Sequence, residues 1–127
     1  MSNKYNYKKG VQATNYIISR LGGGVDKVKV IKLLWAADRY HLRKYARLVS
    51  NDTYYALKKG PVASQTLDII NRTEEYLGEG WQEYSKNYLS PLKDGKKLDS
   101  IKSVNEKYLS ETDKEALDFA ISHLGKL

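Results

Sequence analysis

Residues 27 to 47, KVKVIKLLWAADRYHLRKYAR, limit the fold of this chain more than any other stretch. On a period of 3.6, Ile31, Leu34, Trp35, Asp38, Leu42, Tyr45 and, just beyond the stretch, Val49 share one face. Lys29, Lys32, Arg43, Lys44 and Arg47 share the opposite face. A helix with an apolar stripe of this length must bury it against other elements, so the chain needs a core built around it. Asp38 lies in the middle of that stripe. An unpaired buried carboxylate is penalised by on the order of several kcal/mol even after relaxation. It must therefore be hydrogen-bonded, paired or protonated. Arg39, His41, Thr53, Tyr54 and the backbone leading to Gly60-Pro61 are the available partners. The structural reading is a buried polar clamp that holds the 52–62 segment against the helix. The functional reading, a general base, lacks a second acid, a nucleophile or a metal cluster to work with, so no catalytic residue is assigned.

The remaining elements follow from punctuation and periodicity. Residues 1 to 10 are polar and expected to be a loosely ordered tail, with 11 to 127 forming one domain. Val11, Ile17, Ile18 and Leu21 mark a first helix that Gly22-Gly23-Gly24 ends. RLGGGVD lacks the preceding strand and following lysine of a nucleotide loop. Asp26 is suited to cap the long second helix. DTYYAL reads as a short extended segment, and Gly60-Pro61 as the opening of a third helix with Val62, Thr66, Leu67, Ile70 and Leu77 inside. A helical piece near 81–86 and a small hairpin within 87–101, turning at Asp94-Gly95, come next. Ser110 and Asp113 suit the start of a last helix that buries Ala116, Leu117, Ala120, Ile121 and Leu124. The predicted fold is α+β, mainly α.

Composition narrows the chemistry. The chain has no cysteine and only His41 and His123, which excludes disulfides, thiolate zinc and a cysteine nucleophile and argues against a histidine metal site. No cofactor and no metal are expected. No apolar run reaches the length of a membrane span, and the first residues lack a secretory signal, so a cytoplasmic protein is expected. The formal charge of +7 suits nucleic acid or an acidic protein as partner, or solubility alone. Eleven tyrosines against one phenylalanine favour partly buried contacts and protein interfaces.

KLLWAADRYHLRKYARLVSNDTYYALKKGPVAS, residues 32 to 64, resembles the Panacea domain, the SocA-like antitoxin domain of bacterial and phage toxin–antitoxin systems. The residues that carry the resemblance are Lys32, Leu33, Leu34, Trp35, Ala37, Asp38, Arg39, His41, Leu42, Lys44, Tyr45, Asp52, Tyr54, Gly60, Pro61 and Val62. YLSETDKEALDFAI at 108 to 121 resembles the family's final helix, so the likeness spans about residues 11 to 124. Ala46 and Asn51 stand where the family often has glycine, and Leu48 where it often has proline. The resemblance implies an antitoxin that neutralises a cognate protein toxin by direct binding and is not an enzyme. A relative also acts as an adaptor that delivers its toxin to a protease. The alternative is a basic nucleic-acid binder resting on the cationic face of the second helix; without a reader motif, weak and non-specific binding is all it implies. Asp38, Arg39, His41, Asp52, Tyr54, Gly60 and Pro61 are expected to be structural. Tyr40, Arg43, Lys44 and Arg47 on the helix, and Tyr55, Lys58 and Lys59 beyond it, are expected to meet the partner. Lys58 and Lys59 before a helix N-terminus also suggest a phosphate site, for which solvated lysines are the simpler account.

Overall fold

The computed structural model describes residues 4–58, 60–71 and 80–125. Among the described residues, five α-helices and two small antiparallel sheets follow in the order α1 (Tyr7–Arg20), β1 (Val25–Asp26), α2 (Lys27–Tyr45), β2 (Tyr54–Leu57), β3 (Gly60–Ala63), α3 (Ser64–Asn71), α4 (Trp81–Tyr88), β4 (Leu89–Pro91), β5 (Lys97–Ser100) and α5 (Glu111–Leu124). A 3₁₀ turn, Glu106–Tyr108, precedes α5. The fold is α+β and mainly α.

α1 is the central helix. Every residue from Gly10 to Ile18 is buried, including Gln12, Thr14 and Asn15. A helix surrounded on all sides shows no amphipathic stripe, which is why only its apolar residues were legible. Its polar groups are paired at a distance. Gln12 donates to the Tyr84 hydroxyl at 2.8 Å and accepts from the Asn105 N–H at 2.9 Å. Asn15 donates to the Lys102 carbonyl at 2.9 Å. The helix also starts earlier than the apolar pattern, at Tyr7, so residues 7–10 of the expected tail are helical. Asn6 accepts from the Lys9 N–H at 3.1 Å as N-cap, and the Asn6 N–H donates to the Ser50 carbonyl at 2.9 Å.

α2 packs most extensively on α5 and also contacts β3 and α1. Burial from more than one side widens and turns its inner face relative to a single stripe. Val30, Leu33, Ala37 and His41 are buried beside Ile31, Leu34 and Asp38. Leu42, expected inside, is 51% exposed, and Trp35 and Tyr45 are half-buried. The helix ends at Tyr45 because Ala46 takes a left-handed conformation, φ 62°, and its N–H closes on the Leu42 carbonyl.

Gly60 and Pro61 do not open a helix. They belong to β3, which pairs with β2 so that Pro61 lies opposite Ala56 and Tyr54 opposite Ala63. A proline is tolerated there because a two-stranded ribbon consists of edges. α3 starts at Ser64 instead; Leu77, expected on its inner face, lies outside the described residues. The hairpin near 87–101 is β4 and β5, with Gly95 at φ 70° in its turn and Asp94 accepting from the Lys96 and Lys97 N–H groups at 2.9 and 3.0 Å. The short strand β1 joins it, giving the order β1-β5-β4.

Candidate functional site

Two buried carboxylates organise the chain between α2 and α3. Asp38 is 4% exposed and accepts from the Val49 N–H at 2.7 Å and the Tyr54 hydroxyl at 2.5 Å. The first bond fixes the return of the chain after α2, and the second pins β2 to the helix. Burial pushes the Asp38 carboxyl up to about 6, against the opposing effect of its two donors. Burial, and after it the neighbouring Asp38, push the Tyr54 hydroxyl well above its ordinary range.

Asp52 works in the other direction along the chain. Its carboxylate accepts from its neighbour Thr53 N–H at 2.7 Å and from the Gln65 and Thr66 N–H groups, both at 2.9 Å. The Thr66 hydroxyl adds a fourth bond at 2.6 Å. Asp52 thus caps the first turn of α3 from outside the helix, where orphan N–H groups and the helix dipole favour an anion. Burial still moves its carboxyl upward. Tyr5 closes the network through a 2.8 Å hydroxyl bond with Thr66. The remaining arm of the hairpin is tied by the Ser64 N–H to the Thr53 carbonyl, 2.9 Å.

His41 and Asp113 join α2 to the start of α5. His41 is fully buried, with Nδ1 2.7 Å from the Arg47 carbonyl and Nε2 2.9 Å from the Thr112 hydroxyl. A carbonyl only accepts, so Nδ1 carries a proton. Asp113 completes a capping box with Ser110 and receives the Lys9 ammonium at 2.7 Å and the Arg47 guanidinium at 3.1 Å. Burial works against its charge, but Lys9, the Ser110 N–H and Arg47 outweigh it and hold the carboxyl below its ordinary range.

The expected surface residues divide into two groups. Tyr40, Arg43 and Lys44 line a groove of ≈ 710 Å³ between α2 and α5, together with Trp35, Arg39 and Phe119. Tyr40 stacks on Phe119 at 4.4 Å and Phe119 on His123 at 4.1 Å, forming a ladder along α5. Arg39 is not a partner of Asp38; it is exposed, with its guanidinium 5.4 Å from the centre of the Trp35 ring. Glu115 takes bonds from Lys44 at 2.7 Å, Tyr40 at 2.5 Å and Tyr45 at 2.6 Å, which hold its carboxyl at about 2. Arg47 turns to Asp113. Tyr55, 60% exposed on β2, and Lys58 in the hairpin turn belong to a separate element. Lys59 lies outside the described residues. The i, i+4 spacing of Phe119 and His123 on α5 is the signal that would have found the groove's second wall.

Among the described residues, no group of three His, Asp or Glu side chains is placed to hold a metal ion, and no helix is long and apolar enough to cross a membrane. A family model described as "Antitoxin SocA-like, Panacea domain" matches residues 30–127. No protein of curated function and no solved structure matches the chain.

Proposed function

The chain belongs to the SocA-like, Panacea-domain antitoxin family, and from that premise we propose that it neutralises a cognate protein toxin by binding it directly. The family match over residues 30–127 is the observation that carries this reading. The bonding of the titratable groups supports it. Both oxygens of Asp38 and Asp52 are occupied by donors of the 46–66 region, and both ring nitrogens of His41 bridge to other elements. These residues act as struts, without catalysis, and what they support is a surface. The neutralising contact takes place in the cytoplasm and leaves the toxin chemically unchanged.

The protein encoded beside this chain supplies the test. Expressed alone it should arrest growth, and co-expression with this chain should restore it. Toxin abundance separates the two modes that the family implies. Direct neutralisation restores growth at unchanged toxin level, whereas delivery to a protease restores it only as the toxin disappears. A neighbouring product that is harmless alone, or toxic whether or not this chain is present, contradicts the reading.

A further inference from the structure

We infer that the groove between α2 and α5 receives an acidic polypeptide segment of the bound partner, anchored by a bulky apolar side chain; this rests on the proposal that the chain neutralises a protein by contact. The groove has an apolar floor of Trp35, Ala36, Phe119 and Leu124. Its α2 wall carries Arg39, Arg43 and Lys44, and among the described residues no Asp or Glu lines it. Lys44 is committed to Glu115 at 2.7 Å. Arg39 and Arg43 are exposed, and among the described residues neither forms an ion pair. One turn separates them on α2, roughly 6 Å of helix, so carboxylates one turn apart on a partner helix would meet both. Arginine and aromatic side chains around an apolar depression are the residue types that anchor protein interfaces.

Charge selects the occupant. The chain carries +7, so a second copy would bring like charge to these two arginines. An acidic segment is steered toward them by the field of the whole molecule. A phosphate backbone would find the two arginines but leave the floor unused, since nucleic acid presents phosphates first. A floor of two aromatic rings, an alanine and a leucine calls instead for an apolar side chain inserted between the carboxylates that meet the arginines.

A display library of random helical peptides selected on the full chain tests this. The enriched peptides should be net acidic and share at least one Leu, Phe, Met or Trp. A synthetic peptide taken from them should bind at least tenfold more weakly to the double variant Arg39→Glu/Arg43→Glu. Arg43→Gln alone should lose less, and Lys93→Glu, at an exposed position in the turn between β4 and β5, should bind as wild type does. Both arginines are exposed, and circular dichroism establishes that each variant is folded. Peptides with no acidic bias, or binding that survives the double variant or falls equally in Lys93→Glu, overturn the inference. So does displacement of the peptide by a 20-base-pair duplex at equal concentration, or a dimer of the chain that closes the groove. The peptide measurement needs no toxin, so a failure of the antitoxin reading shows separately, in the growth assay.

Discussion

Asp38 ties the chemistry of one residue to the course of the chain after α2, through its bonds to Val49 and Tyr54. Its folded pKa, about 6, lies above the ordinary carboxylate value, so the native chain holds that proton more tightly than the unfolded chain does. Asp38 therefore favours folding most at low pH, and its contribution falls as pH rises from about 4 to about 6, then stays flat. Two units correspond to about 3 kcal/mol at most. The stability of wild type relative to Asp38→Asn should decline across that window, read by urea unfolding at each pH; a constant difference would contradict the burial argument. Asp38→Ala should be destabilised by about 2–4 kcal/mol, since the Val49 N–H and Tyr54 hydroxyl both lose their acceptor. Ala46 supplies a prediction of opposite sign. It and Asn51 adopt φ 62° and φ 61°, and they stand where the resembling family pattern often carries glycine. Asparagine enters the left-handed region at little cost, but alanine does not. Ala46→Gly should raise stability by about 1 kcal/mol, measured by thermal unfolding, and Asn51→Gly should change it little.

At the scale of elements, α3 depends on a residue twelve positions before its first turn. Asp52→Ala would strip the acceptor from the Gln65 and Thr66 N–H groups and from the Thr66 hydroxyl. Hydrogen exchange at the start of α3 should then accelerate at least tenfold, with the β2–β3 hairpin loosening alongside and α5 retaining its protection. Uniform acceleration everywhere would mean that Asp52 supports the whole fold rather than this helix. Elements with local signals were legible in the sequence. Asp26 before α2, Ser110 with Asp113 before α5, and the Asp94-Gly95 turn each carry their own cap or turn chemistry. Elements whose cues are remote were not. α3 has its cap in Asp52, α1 satisfies Gln12 and Asn15 through residues 84 to 105, and β1 acquires a partner only when β5 is folded beside it. Gly60-Pro61 misled because the same dipeptide suits a helix start and a ribbon edge. The site followed the same division. Asp38 was visible as a misplaced charge, whereas the groove required knowing that α5 lies along α2.

For the whole molecule, the +7 charge has two consequences that can be separated. Duplex DNA should bind weakly and without sequence preference, with affinity falling steeply as salt rises, because scattered lysines neutralise phosphates and read no bases. Filter binding near physiological salt that gave sub-micromolar, sequence-selective affinity would make nucleic acid a partner in its own right. The second consequence is attraction to acidic protein surfaces, which would serve the proposed neutralising contact. The proposed neutralisation requires that this chain form a complex with its toxin. Light scattering coupled to size exclusion tests it most directly, on the chain co-expressed with the protein encoded beside it. A single stoichiometric species containing both proteins, persisting on dilution to nanomolar concentration, is the result predicted. Growth rescue with the two proteins eluting separately would contradict it.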